Sequence, residues 1–384
     1  MRRWTAQAKT RMASRNPSRL VLGGLLIVSA FTRLRARTRP ADPRRILIAH
    51  HLLLGDTLML TPLLARLRER YPHAEIFMTT PKALVPLYAG RPYGVHALPY
   101  DPRDAATLIA WARRAPFDLA FLPADNRFSA LARALRAQWI VGFAGDTPGY
   151  KNWFVDEFVP FADKPISFAD LSARLVDNVA PAPYAATAWP APAFAPFARP
   201  TANYCVLHAG ASNQLKQWPS GAWRELADEL TARGYEVVLS GGRGEESIVA
   251  QIDPEARYRS VAGQLDLAQL WQLVRGAALL VSVDTGVAHM GRMTATPTVV
   301  LFGPGSPAIC GAGDFWRNVP YVPLNVPDVA CRDQNIVFRR PVPALQHCVR
   351  LYGECTRNIC LERLTLAQVL AGIAAVTRAP SLTN

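Results

Sequence analysis

Short apolar segments alternate with stretches of helical apolar spacing along most of the 384-residue chain. Residues 45–49 (RILIA) predict a buried parallel strand, and the leucines that follow predict a helix over residues 56–70. The second half repeats this order, with a strand predicted over residues 204–208 and a helix over residues 219–233. Strands that alternate with helices form parallel sheets with helices on both faces. The sequence therefore predicts an α/β chain with two doubly wound domains.

A segment rich in Pro and Ala separates the two predicted domains. Residues 181–200 contain six Pro and eight Ala, a composition typical of a linker. Two doubly wound domains leave a cleft between the carboxyl ends of their sheets, where such folds bind ligands. We therefore predict an N-terminal extension, a first domain, a linker, a second domain and a terminal helix with a tail, at residues 1–44, 45–180, 181–200, 201–362 and 363–384.

The positive charge of the chain is concentrated at its N-terminus. The formal net charge is +14, and residues 1–45 contain twelve Lys or Arg residues but a single acid, Asp42. That segment carries a charge of +11, so the remaining residues carry only +3. Proteins that bind nucleic acids more often spread positive charge over a binding face. We therefore expect no nucleic-acid partner.

An apolar segment of thirteen residues lies inside this basic region, at residues 20–32 between Arg19 and Arg33. A helix of that length reaches about 20 Å, which is short of the roughly 30 Å hydrocarbon core of a bilayer. Residues 28–30 (VSA) resemble a signal-peptide cleavage site, but the arginines that follow favour retention in the cytoplasm. We expect a peripheral anchor on the anionic cytoplasmic face of a membrane. An extension with no fixed structure is the open alternative.

The first candidate site lies where the first predicted strand ends, in Leu54-Gly55-Asp56. A carboxylate between a strand and a helix can face the predicted cleft and act as a general base. The same position suits a helix N-cap, since Asp accepts hydrogen bonds from first-turn amides. Spacing alone leaves both interpretations of Asp56 open.

Three further loops follow predicted strands in the second half. The loop of residues 209–219 contains small residues and Lys216, which suit a phosphate group, although an ordinary loop with a solvated lysine has the same pattern. The glycines and acids of residues 241–246 allow a ligand close to the backbone, or else form a turn and a helix start. Residues 283–289 (VDTGVAH) place Thr285 at a helix start, whose amides suit a diphosphate.

The order of these motifs resembles that of glycosyltransferase family 9, the lipopolysaccharide heptosyltransferases. The resemblance runs from about residue 45 to residue 375 and rests on five motifs. They are LGD, KQWP, GGRGE, DTGVAH and LFGPGSP, at residues 54–56, 216–219, 241–245, 284–289 and 301–307. The resemblance implies a GT-B fold, in which two Rossmann-like domains face a cleft. It also implies transfer of heptose from ADP-heptose to a lipopolysaccharide core or lipid A acceptor.

The resemblance further implies roles for individual residues. Asp56 is the expected catalytic base, Lys216 the expected contact to the donor phosphates, and Glu245 the expected contact to the donor nucleoside. The other expected donor-site residues are Asp284, Thr285, Gly286 and His289. No cofactor is implied. No metal is expected, because the chain lacks the Asp-x-Asp motif that commonly holds a divalent ion against nucleotide-sugar phosphates.

These roles predict an inverting displacement. Asp56 takes the proton of an acceptor hydroxyl, whose oxygen attacks the anomeric carbon in line with the departing diphosphate. Lys216 and the helix amides after Asp284 stabilise the negative charge on the leaving group. Arg127 and Arg133 follow a predicted strand and are candidate contacts to acceptor phosphates. Solvated helix arginines are the alternative for that pair.

Four of the six cysteines lie near the C-terminus, at Cys331, Cys348, Cys355 and Cys360. The chain has no C-x-x-C pair, so the signal for a zinc site is weak. We expect packing thiols, and a metal or disulfide role is the open alternative.

Two other functions fit the same architecture. A nucleotide-sugar 2-epimerase converts its donor without any acceptor, whereas a transferase requires one. A non-catalytic member of the family binds a glycolipid without turnover. The retained acid, lysine and Asp-Thr-Gly-x-x-His motif argue against decay of the site.

Overall fold

The fold is known from a computed structural model, which describes residues 16–31, 38–201, 203–350, 353–355 and 357–378. The predicted N-terminal anchor is therefore described only in part. Residues 1–15 and 32–37, which carry most of its basic side chains, lie outside the described residues, as does the end of the predicted tail.

The first half of the chain forms a parallel sheet of six strands in the order β3-β2-β1-β4-β5-β6. Its central strands are buried on both faces because helices cover both sides of the sheet. The strands are β1 Arg45–Ile48, β2 Glu75–Thr80, β3 Val95–Pro99, β4 Leu119–Leu122, β5 Trp139–Phe143 and β6 Glu157–Val159.

The second half forms another parallel sheet of six strands, in the order β12-β11-β10-β7-β8-β9. Its strands are β7 Tyr204–His208, β8 Glu236–Ser240, β9 Arg259–Ser260, β10 Leu279–Val283, β11 Thr298–Phe302 and β12 Tyr321–Asn325. A short antiparallel hairpin follows, with β13 Ile336–Val337 and β14 Arg340–Pro341. The predicted pair of doubly wound α/β domains is thus confirmed.

The helices lie between these strands and at the two ends of the chain. They are α1 Asn16–Phe31, α2 Leu54–Leu58, α3 Thr61–Arg70, α4 Ala105–Ala112, α5 Ser129–Ala134, α6 Phe168–Asp177, α7 Ser220–Ala232, α8 Glu246–Ile252, α9 Leu267–Gly276, α10 Gly286–Met293, α11 Pro307–Cys310, α12 Ile359–Glu362 and α13 Leu366–Arg378.

The predicted helix over residues 56–70 is two helices, α2 and α3. Pro62 lies in the first turn of α3, where its missing N–H is tolerated, whereas in a continuous helix it would interrupt the backbone hydrogen bonds. The break leaves Asp56 on a helix of only five residues that follows β1.

Part of the Pro- and Ala-rich segment packs against both halves, although most of its residues are exposed. Its side chains Tyr184 and Trp189 are buried. The Trp189 ring lies 5.0 Å from the Tyr88 ring of the first half and 5.8 Å from the Trp271 ring of the second half. This segment therefore joins the two halves through an aromatic contact.

Helix α1 packs on the first sheet domain. Val21, Leu22 and Leu25 lie against the apolar core that α4 and α5 cover. Leu20, on another face of α1, is 77% exposed. None of the helices in the described ranges is both long enough and apolar enough to cross a membrane.

Arg340, in the hairpin of the second half, is buried in the first half. Its guanidinium donates to the backbone oxygens of Ala144 and Ala124 at 2.8 and 2.7 Å and lies 3.5 Å from the Asp146 carboxylate. The carbonyls and the acid lie where β4 and β5 end, so Arg340 fastens the hairpin to the cleft side of the first sheet.

Replacing this side chain should destabilise the protein. Arg340→Met removes a buried charge from its carboxylate and carbonyl partners, so we expect a loss of about 3 kcal/mol in the free energy of unfolding. Urea unfolding of the full chain measures this loss. Arg339→Met changes an exposed neighbour in the same way and should cost far less. Equal costs for the two variants would contradict the fastening role.

Candidate active site

A cavity of about 750 Å³ lies between the two sheets, at the carboxyl ends of their strands. It is lined by loops that follow β1, β7, β8 and β10. The structure thus brings the predicted base and all of the predicted donor-site residues to one cavity. They are Asp56, Lys216, Glu245, Asp284, Thr285, Gly286 and His289.

Two glycines allow the front and rear loops to touch. A β-carbon on Gly286 would lie 2.6 Å from the Leu54 side chain, and one on Gly55 would lie 2.9 Å from the His289 ring. Such distances are too short for carbon atoms, so larger residues would force the loops apart. The close approach places Asp56 beside the start of α10.

Asp56 lies in the first turn of α2 and is not its N-cap, since that position belongs to Leu53. The N-cap interpretation is therefore wrong. No hydrogen bond to the Asp56 carboxylate occurs within the described part of the chain. Burial raises the pKa of Asp56 to about 6, with Lys216 opposing this shift and Asp284 adding to it. A carboxylate with such a pKa suits a general base that operates near neutral pH.

Lys216 is held by Asp284. Its Nζ donates to the Asp284 backbone oxygen and to Oδ2, both at 2.8 Å. Burial lowers the pKa of Lys216, but the charge and hydrogen bond of Asp284, with Cys310 and Asp56 adding to them, together raise it by more, so the ammonium stays charged. An ammonium has three protons to donate, so one remains for a ligand.

The start of α10 presents backbone N–H groups to the cavity that bond to none of the described residues. Its N-cap residue, Thr285, is extended, and its side chain does not bond to the first-turn amides. Gly286 begins the helix and lines the cavity. The amides and the positive end of the helix dipole suit a negatively charged group such as a diphosphate.

Arg292 is a site residue that the sequence analysis missed. It is fully buried, donates to His289 Nδ1, and donates to the Cys310 oxygen at 2.9 Å. Because His289 Nδ1 accepts the bond from Arg292, the proton of the neutral His289 ring lies on Nε2. Burial, with Arg292 and Lys216 adding to it, holds the pKa of His289 well below its ordinary value. The available signal was the i, i+3 spacing of His289 and Arg292 on one helix.

Glu245 lies over a glycine of the neighbouring loop. Its carboxylate accepts the Gly242 N–H at 2.6 Å, and a β-carbon on Gly210 would lie 2.0 Å from Oε2. Gly210 is therefore required for this position of the acid.

Nearby, His208 Nδ1 lies 2.9 Å from Ser240 Oγ, and burial lowers the pKa of His208 to about 4. The sequence analysis also missed this pair. The available signal was a polar residue, His208 or Ser240, at the end of each of two apolar strands.

A second cavity, of about 390 Å³, meets the first one at the predicted base. The two cavities share Asp56, Lys216, Asp284 and Cys310. The wall of the second cavity includes residues 336–338 and 347–350 of the second half. Asp56 therefore lies between two spaces.

The two arginines predicted to contact an acceptor lie in different surroundings. Arg133 is 2% exposed and pairs with Asp156 at 2.7 Å, so its predicted ligand contact is wrong. It faces the interior because it lies on the packed side of α5. Arg127 is exposed and lines a separate cavity of about 490 Å³ beside α1.

All six cysteines carry free thiols. Cys310 lines both cavities next to Asp56, and burial raises the pKa of its thiol. Burial also raises the pKa of Cys360 to about 11. Among the residues that the structure describes, no three His, Cys, Asp or Glu side chains are arranged to hold a metal ion.

Comparison with known sequences places the chain among sugar-transferring enzymes. Residues 112–335 match the profile of glycosyltransferase family 9 (heptosyltransferase). Lipopolysaccharide heptosyltransferase 1 of Pseudomonas aeruginosa is 29% identical over 184 residues, which cover 48% of this chain and 50% of that protein. Lipopolysaccharide heptosyltransferase 2 of Salmonella typhimurium is 26% identical over 296 residues, which cover 68% of this chain and 84% of that protein. The first alignment thus spans only half of the curated relative.

Solved structures share the fold. A family 9 glycosyltransferase from Veillonella parvula superposes with a TM-score of 0.68 at 18% identity, covering 89% of this chain and 99% of its own. An Escherichia coli heptosyltransferase solved with ADP superposes with a TM-score of 0.64 at 17% identity, covering 86% of this chain and 99% of its own. These likenesses confirm the predicted GT-B fold.

Proposed function

Because the chain belongs to glycosyltransferase family 9, we propose that it is a glycosyltransferase that moves heptose from ADP-heptose to a lipopolysaccharide core acceptor. The observation that carries this proposal is the meeting of Asp56, the Lys216–Asp284 pair and the start of α10 at one cavity. Relatives named lipopolysaccharide heptosyltransferases, and an Escherichia coli heptosyltransferase solved with ADP-2-deoxy-2-fluoro heptose, support the choice of donor and acceptor.

The donor lies in the larger cavity. Its diphosphate binds the first-turn amides of α10 and the ammonium of Lys216. Its nucleoside extends towards Glu245, which is the carboxylate nearest to the glycines that follow β8. Buried His289 is neutral and therefore adds a hydrogen-bond donor without adding a charge.

The reaction is a single displacement. Asp56 accepts the proton of an acceptor hydroxyl while that oxygen forms a bond to the anomeric carbon. The bond from the anomeric carbon to the diphosphate oxygen breaks, and ADP leaves with the bonding electrons. Lys216 and the α10 amides stabilise the charge that develops on ADP. The configuration at the anomeric carbon is inverted.

The acceptor lies in the smaller cavity, which reaches Asp56 from the other side. The enzyme works at the cytoplasmic face of the inner membrane, where such an acceptor is held by its lipid. The exposed apolar residues of α1 (Leu20, Ile27 and Val28) support a peripheral contact with that surface.

A transfer assay with purified full-length protein tests this function. We expect ADP release from ADP-heptose only when a heptose-free lipopolysaccharide core is present, together with a gain of one heptose in the acceptor mass. Turnover of the donor without an acceptor would instead indicate an epimerase or a hydrolase. Donor binding without any turnover would indicate a non-catalytic glycolipid-binding protein.

The raised pKa of Asp56 predicts an acidic limit to activity. Only the carboxylate form can take a proton, so kcat/KM should fall about tenfold per pH unit below pH 6. A pH–rate profile between about pH 5 and 8 measures this limb. Affinity for ADP-heptose in the absence of acceptor, over the same range, is the control, because the diphosphate of the intact donor does not titrate there and the base is not needed for binding. A rate that stays level through pH 5 would contradict the assignment.

A further inference from the structure

Helix α1 forms one wall of the cavity of about 490 Å³ that lies apart from Asp56. Ser18, Arg19 and Leu22 line it from the helix. The opposite walls are loops that follow β1, β3 and β4 of the first sheet. This N-terminal helix therefore closes one side of the cavity.

The rim of this cavity is cationic. Arg19, Arg103 and Arg127 line it, against one acid, Asp101. In the described ranges, the side chains of Arg19 and Arg103 have no ion pair and no hydrogen bond. Arg127 is exposed and lies 3.3 Å from Asp125. Unpaired arginines at a concave surface are available to a phosphate, which they bind bidentately.

The floor of the cavity is apolar. Leu22, Leu108 and Leu131 contribute side chains, and the rings of Tyr100 and Phe128 complete it. A free phosphate ion gains nothing from such a floor. A phosphate at the end of an apolar chain gains both the arginines and the burial of its methylene groups.

The two faces of α1 match the division of the cavity into a cationic rim and an apolar floor. Ser18 and Ser29 are buried, with Leu22 and Leu25 between them at helical spacing. On the outer face, Ile27 and Val28 are 62% and 58% exposed. An apolar outer face next to a cationic cavity is what a helix at a lipid surface presents.

We propose that α1 and the first sheet domain form a binding site for a lipid phosphate, with Arg19 and Arg103 on the phosphate and the cavity floor on the apolar chain. This proposal rests on the proposed function in one respect, the source of the phosphate. That source is the lipid-borne acceptor rather than bulk phospholipid. Glycolipid binding here positions the acceptor on the domain that carries Asp56.

Calorimetric titration with dihexanoyl phosphatidic acid, below its micelle concentration, tests the site without requiring activity. We expect saturable binding that weakens at least tenfold in Arg19→Gln and further in Arg19→Gln/Arg103→Gln, because each variant loses hydrogen bonds between a guanidinium and a charged phosphate. Arg113→Gln removes the same charge from an exposed position outside the cavity and should leave the affinity unchanged. ADP affinity should be equal in all variants, which shows that each is folded.

Two outcomes separate the source of the phosphate from the existence of the site. A raised acceptor KM with unchanged kcat in Arg19→Gln supports the acceptor as the source. An unchanged acceptor KM, with weakened phosphatidic acid binding, supports the site and assigns it to membrane phospholipid. Inorganic phosphate that binds as tightly as phosphatidic acid, or lipid binding that Arg19→Gln and Arg113→Gln change equally, overturns the proposal. None of these binding results depends on whether the chain transfers heptose.

Discussion

Asp56→Asn should lower kcat for sugar transfer by about 10²–10⁴-fold while ADP affinity stays near that of the wild type. The amide has the shape of the carboxylate but cannot accept a proton at neutral pH. The other acid shared by the two cavities, Asp284, is bound to Lys216 and is not available as a substitute base. The loss should therefore appear in the chemical step.

Single-turnover kinetics at saturating donor and acceptor isolate that step. Asp163→Asn makes the same change at an exposed position of the first domain and serves as the matched control. We expect the control to transfer at the wild-type rate. An Asp56→Asn protein that does likewise, while binding ADP normally, would remove Asp56 from the mechanism.

Lys216→Gln should reduce kcat by about 10²–10³-fold, since one preorganised donor to the leaving group is lost. It should also weaken ADP binding, for a second reason. Asp284 is buried, with its side chain 5% exposed, and in the proposed complex its charge would face the donor diphosphate once the lysine is removed. On this proposal the ammonium both attracts the phosphates and neutralises this acid.

A double variant separates these two effects. In Lys216→Gln/Asp284→Asn the repulsion is absent, so ADP affinity should recover in part while kcat stays low. Lys164→Gln, at an exposed position, controls for the loss of one positive charge. Full recovery of kcat in the double variant would contradict the role of Lys216 on the leaving group.

The sequence was sufficient to predict that the site residues meet, although they are far apart in the chain. Loops at the carboxyl ends of parallel strands share one edge of a sheet, so motifs that follow strands converge. Asp56, Lys216 and Asp284 follow strands in this way and line one cavity. What they do there remains a prediction.

Features that depend on contacts between distant residues could not be predicted in this way. Arg340 bonds to backbone oxygens of the other half, which no motif records. Arg133 lies on a short helix whose buried side is set by the sheet beneath it. The position of Arg133 in the sequence therefore did not show whether its side chain contacts a ligand or the protein interior. The leucine pattern over residues 56–70 continued through the helix break at Pro62.

The N-terminal helix illustrates the same limit. Its apolar composition was recognised, but composition does not state which face packs on the domain. Leu22 and Leu25 lie against the first domain while Leu20 faces outwards, and the cavity beside Arg19 follows from that docking.

The anomeric configuration of the transferred sugar is the measurement that tests the mechanism most directly. Nuclear magnetic resonance of the product, compared with the ADP-sugar donor, reports it through the one-bond carbon–proton coupling at the anomeric position. A single displacement assisted by Asp56 predicts that the product has the configuration opposite to that of the donor. Retention of the donor configuration would contradict a single in-line attack and with it the assignment of Asp56 as the base.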